Sequence, residues 1–70
     1  MRYRVVYRDQ DGSECRSRTM SKKSAIAEAR AVADHCWPAR VIRDGDGVEL
    51  GRYTRHDTHG VQYQPNPAVP

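Results

Sequence analysis

The sequence predicts an α+β domain: an antiparallel sheet of four or five strands with one helix packed on one face. Three observations predict it. Aromatic or apolar residues alternate with arginines over "RYRVVYR", residues 2 to 8, the period of a half-buried strand. A glycine turn at "DQDGS" then sends the chain back through a second alternating run. Finally, one stretch, "MSKKSAIAEARAVADHCWP", carries apolar residues at three- and four-residue spacing, and strand-like segments resume after it. The order is β-β-α-β-β(-β).

In the first strand Tyr3, Val5 and Tyr7 point one way and Arg2, Arg4, Val6 and Arg8 the other. Gly12 suits the left-handed position that closes a three-residue loop, Gln10-Asp11-Gly12, with a bulge at the glycine. That loop sets Asp9 opposite Ser13, Arg8 opposite Glu14, Val6 opposite Arg16 and Arg4 opposite Arg18. It also keeps Cys15, Ser17 and Thr19 on the Tyr3 face. A two-residue loop would shift the pairing by one and mix the faces.

Ser21 is the expected helix N-cap, with Met20 packing back across the first turn, and Pro38 disfavours helix at Trp37. Ala25, Ile26, Ala29, Val32, Ala33 and Cys36 form the inward stripe. Its alanines allow close approach to a sheet, and Trp37 is expected to cap the core at the sheet edge. "ARVIRDGDGVELGRYT" then reads as strand, Asp-Gly turn, strand, with a bulge at Gly51 that switches the phase between Val48/Leu50 and Tyr53. "HDTHG" turns the chain into a short "VQY" strand. Residues 1–64 are read as a single domain and residues 65–70, "PNPAVP", as an extended, loosely held tail.

A chain of seventy residues supports one thin core. Leu, Ile and Val together number ten and Phe is absent. A net charge of +3 is nevertheless too small to imply disorder, and four Tyr and one Trp add apolar area. No apolar run approaches the roughly 20 residues of a membrane span, and no secretory h-region opens the chain, so the expected location is the cytoplasm. Cys15 and Cys36 form no CxxC motif and read as reduced thiols, with a mutual disulfide left as the alternative.

Ten of the twelve basic residues are arginine, whose planar fork matches pairs of phosphate or carboxylate oxygens. By the register above, the sheet face without a helix carries Arg2, Arg4, Arg8, Arg16 and Arg18, and Lys22 and Lys23 open the helix. Like charges directly opposed, as Arg4 and Arg18 would be, destabilise a sheet unless an anion lies between them. These seven residues are the expected contacts to nucleic acid or an acidic partner. The bland reading of the same face is a polar surface that prevents sheets from stacking. No aromatic accompanies the arginines, which argues against recognition of single strands by base stacking.

Other chemistry finds little material. His56 and His59 are spaced for a shared ligand, but His35-Cys36 would diverge on a helix, so no metal site is expected. "DGDG" at residues 44–47 is not a calcium loop, because Val48 and Arg55 occupy its fifth and twelfth positions. No nucleophile and base can be placed together and the chain is short for a concave pocket, so neither catalysis nor a cofactor is expected.

"YRVVYRDQDGSECRSRTMSKKSAIAEARA", residues 3–31, resembles the arm-type DNA-binding domain of tyrosine-recombinase integrases. That resemblance implies a basic sheet in the DNA major groove, with Arg2, Arg4, Arg16 and Arg18 on the DNA-facing strands. The chain departs from the family in having strands after the helix and no catalytic recombinase domain. With "ARVIRDGDGVELGRYTRHDTHGVQY" following the helix, the whole order is similar to small phage and mobile-element proteins, type I anti-CRISPR inhibitors among them. This implies a partner such as a crRNA-guided surveillance complex. The expectation is therefore a non-enzymatic binding protein that docks a basic sheet face on nucleic acid or a nucleoprotein complex. The alternative is a protein–protein adaptor or a self-associating module, such as a homodimer.

Overall fold

The alternation around Tyr3, Val5 and Tyr7 forms the first strand of a five-stranded antiparallel sheet in the computed structural model, which describes residues 1–35 and 37–69. In chain order the elements are β1 (Tyr3–Arg8), β2 (Glu14–Arg16), α1 (Lys22–Asp34), β3 (Ala39–Arg43), β4 (Glu49–His56) and β5 (Gly60–Pro65). The strands lie side by side as β2-β1-β3-β4-β5, with the helix against one face. The expected α+β class is therefore the observed one.

The three-residue loop forms as the alternation requires. Gly12 takes φ 81°, a conformation that costs glycine no Cβ clash. Its N–H donates to Asp9 O at 3.0 Å, and Asp9 N–H donates to Ser13 O at 3.0 Å. The Asp9 carboxylate also accepts from the amides of Asp11 and Ser13. Arg8 then faces Glu14 and Val6 faces Arg16, as predicted.

Arg4 does not face Arg18. β2 ends at Arg16, and the next bridge joins Tyr3 to Met20, so both Arg18 and Thr19 occupy the span opposite Arg4. The extra residue is accommodated at Ser17. Its hydroxyl accepts the Val5 N–H at 2.8 Å, the bond its own carbonyl would take in a regular ladder. The bulge turns Arg18 away from Arg4 and abolishes the expected like-charge pair.

Ser21 caps α1 as expected, accepting from Ser24 N–H at 3.2 Å. Ala25, Ala29 and Ala33 are completely buried against Val5, Ala39, Val41 and Tyr53, while Ile26 and Val32 are half-buried beside them. The helix closes at Asp34 with His35 as its C-cap, before the Pro38 stop. Cys36, the last residue of the predicted stripe, lies outside the described residues. Trp37 is half-buried and stacks on Tyr7 of β1 at 6.1 Å between centroids.

The bulge foreseen at Gly51 is present. Val41 pairs with Gly51 but Ile42 pairs with Glu49, leaving Leu50 as the extra residue. Gly51 also receives the Tyr63 ring, which packs on Tyr53 at 4.8 Å while its hydroxyl donates to Leu50 O at 3.1 Å. Pro65 and Asn66 are more firmly held than a loose tail would be. Pro65 belongs to β5, Asn66 N–H donates to Leu50 O, and the Asn66 side-chain amide donates to Glu49 O at 2.8 Å.

A Cβ at position 51 would lie 2.5 Å from the Tyr63 hydroxyl oxygen and 2.6 Å from its ring. Gly51→Ala should therefore destabilise the fold by about 1–3 kcal/mol by expelling that ring. In a Tyr63→Ala background most of this cost should vanish. Urea unfolding of the two single variants and the double variant measures the coupling, and additive effects would show that the ring does not sit over Gly51.

Candidate anion-binding interface

The sheet face without a helix is set by strand parity. Val5, Ala39, Val41 and Tyr53 point into the core, so their neighbours Arg4, Val6, Arg40, Ile42 and Arg52 point out on the opposite side. Along one transverse row the register aligns Arg16, Val6, Arg40, Arg52 and Gln64, one residue from each strand. Neighbouring strands in such a row stand about 5 Å apart.

Carboxylates interleave with these arginines. Glu14 accepts from Arg16 at 3.1 Å and lies 3.4 Å from Arg40; Glu49 accepts from Arg52 at 3.1 Å and lies 3.7 Å from Arg40. The result is a chain of alternating charge, Arg16–Glu14–Arg40–Glu49–Arg52. Arg4 donates through two nitrogens to one oxygen of Asp44, at 3.1 and 2.8 Å. Arg8 bonds Gly12 O in the hairpin loop. Five arginines and three carboxylates leave the face at a formal charge of +2. Val6 is only 5 % exposed although it faces outward. The aliphatic stems of its row neighbours Arg16 and Arg40 are placed to cover it.

Of the seven residues expected to form the site, Arg4, Arg8 and Arg16 lie on this face. Arg2 and Arg18 instead line an open concavity of about 800 Å³ together with Ser21, Ser24 and Glu28, at the start of α1. There Arg2 donates to Thr19 O at 2.8 Å. Lys22 and Lys23 are exposed in the first helical turn, and Lys22 borders a hollow formed with Ile26, Leu50 and Tyr63 on the helix side of the sheet. The seven thus divide among the open sheet face, the concavity at the start of α1 and the first turn of the helix.

Arg40 and Arg52 were missed, although the sequence held the signal. Each is flanked by inward residues, Arg40 by Ala39 and Val41 and Arg52 by Gly51 and Tyr53, so alternation alone directs both outward. The remaining arginines of the later strands serve elsewhere. Arg55 ties β4 to Asp34 of the helix, donating to its carbonyl at 2.6 Å. Arg43 grips Asp46 across the β3–β4 turn, at 3.0 Å from both carboxylate oxygens.

The Arg43–Asp46 hydrogen bond holds the Asp46 carboxyl below the usual aspartate range and raises the Arg43 guanidinium. Burial pushes the Tyr53 phenol up. His56 and His59 meet at the β4–β5 turn with ring centroids 5.8 Å apart. Among the described residues no cluster of three or more His, Cys, Asp or Glu side chains is arranged to hold a metal ion, and no helix is long and apolar enough to cross a membrane.

Together these features define a small α+β protein whose distinguishing surface is an open, arginine-rich sheet face interleaved with carboxylates. No protein-family model, curated protein or solved structure matches the chain.

A depressed carboxyl pKa stabilises the fold above the ordinary carboxylate range, and that stabilisation is lost as pH falls through the range and below it. Asp46→Asn should therefore lower the melting temperature at pH 6, with the gap to the parent protein closing towards pH 2. A gap that stays constant across this interval would exclude the ion pair as its source.

Proposed function

We propose that the chain is a non-enzymatic binding protein that docks its open sheet face on the phosphate backbone of nucleic acid, bare or within a nucleoprotein complex. The observation that carries this reading is the row Arg16, Arg40 and Arg52, whose side chains are 62, 40 and 50 % exposed on a face that no helix covers. Arg40 and Arg52 are directly opposed, an arrangement that favours an anion between them. Glu49 supplies one, through exposed ion pairs of the kind that contribute only about 0–1 kcal/mol. A phosphate offers two oxygens to each guanidinium fork and can exchange for such a carboxylate at little cost. Contacts of this type fix position and carry little sequence information.

The interleaved Glu14 and Glu49 favour a second reading, an adaptor for a protein surface of matching alternate charge. Both readings can be measured. For the first, fluorescence anisotropy with a labelled DNA duplex should show binding that weakens with salt. Three phosphate contacts imply a slope of log K against log salt concentration of about −3. Changing Arg16, Arg40 and Arg52 together to glutamine should remove that slope, and absence of binding at low salt refutes direct backbone contact.

The carboxylates separate the two readings. Glu14→Gln with Glu49→Gln should tighten duplex binding and steepen its salt dependence, because competing anions leave the face. Weaker binding to a captured protein target, with no gain towards DNA, would favour the adaptor.

A further inference from the structure

β5 forms one border of the sheet, and its hydrogen-bond parity is fixed by its end. Asn66 N–H donates to Leu50 O, and the β4–β5 register runs from Gly51 with Pro65 to His56 with Gly60. Hydrogen-bonded pairs alternate along an antiparallel ladder, so Gly60, Gln62 and Gln64 bond to β4. Val61 and Tyr63 turn their amides and carbonyls outward, and among the described residues none of these four groups has a partner. Pro65, also on the outward phase, has no N–H to offer. The other border, β2, is three residues long, carries Glu14 and Arg16, and runs into the Ser17 bulge. Those features discourage edge pairing, and β5 has none of them over Gly60–Gln64.

We propose that the β5 edge pairs antiparallel with the β5 edge of a second copy of this chain, about a two-fold axis at Gln62. In that register Val61 faces Tyr63 of the other copy twice over, and Gln62 faces its own equivalent. All four outward groups of each chain then find partners, giving four interchain hydrogen bonds, and Pro65 falls beyond the last of them. A register one step further, centred on Tyr63, would also form four bonds, but it sets Val61 against Pro65 and leaves the Val61 carbonyl of each chain without a donor. Charge favours the same occupant. No β5 residue is charged, so two chains of net charge +3 meet where neither presents like charge. On the helix side Val61 is half-buried and Tyr63 is 46 % exposed. The pairing sets each against the other across the axis, covering apolar surface that stays exposed beside α1. The pairing joins two sheets into one of ten strands and is independent of whether the arginine face binds an anion.

Sedimentation equilibrium between about 10 μM and about 1 mM brackets the affinity of a small interface and should show the mass rising from one chain towards two. Gln62→Lys sets two like charges in a close, non-hydrogen-bonded pair at the axis and should weaken the dimer at least about tenfold. Val61→Pro removes an outward donor, one that faces solvent in the monomer, and should do the same. Circular dichroism identifies any variant that fails to fold, in which case Gln62→Lys alone decides. A single-chain mass throughout the range overturns the proposal. So does a dimer that keeps its affinity in a folded Gln62→Lys variant.

Discussion

The close approach of α1 to the sheet is the constraint on which the rest of the structure depends. Three alanines one turn apart, Ala25, Ala29 and Ala33, have no exposed surface, so the helix backbone lies as near to the strands as a methyl group permits. Among the described residues only Val5 and Val41 are larger side chains with essentially complete burial. A helix of thirteen residues extends about 20 Å, enough to cover the centre of five strands but not both margins. It packs on β1, β3 and β4, touches β5 more lightly and does not reach β2. One helix cannot cover both faces, so the second face must be made compatible with water, and the arginines that flank Val6 in its row keep their charge exposed while their stems are placed to shield it.

Most of the fold was legible because period and turn chemistry agree. The Gln10-Asp11-Gly12 loop was readable because only that length keeps Tyr3, Val5 and Tyr7 on the same face as Cys15 and Ser17. The bulge at Gly51 was readable because the apolar phase changes there. What escaped was set by side chains acting on backbone. The Ser17 hydroxyl takes the amide of Val5 and lets an extra residue into the strand, and nothing in the spacing "CRSRT" announces that substitution. The Asn66 side chain bonds Glu49 in the same manner, holding a segment that three prolines would otherwise suggest is loose.

The same division applies to the arginine face. Its existence followed from counting strands and helices, but its membership did not. Alternation carried past a bulge assigned Arg18 to it, and alternation carried back beyond the start of β1 assigned Arg2, whereas Arg40 and Arg52 lie on it by alternation never carried into the later strands. The carboxylates change its character as well. A row of arginines alone would repel itself, and each Glu reduces that repulsion by lying between two guanidiniums. Because the pairs are exposed, they order the side chains without binding them strongly, and an incoming anion meets arginines that are already extended and spaced.

The face and the β5 edge differ in the physics available to each. Ion pairs on the face, and the phosphate contacts proposed for it, are screened over a Debye length of about 8 Å at physiological ionic strength, so an anion held there would be released as salt rises. The edge offers backbone amides, carbonyls and an apolar pair on uncharged residues, which salt affects little. If both surfaces are used, raising the salt strips the charged partner and leaves the chain pairing intact. Doubling the sheet also duplicates the arginine row on a single continuous face. Two rows held by one rigid sheet would give the proposed contact to a long polyanion an avidity that neither row has alone. The uncharged border strand therefore bears on the charged face: by keeping charge out of β5, the sequence allows two positively charged chains to adjoin there.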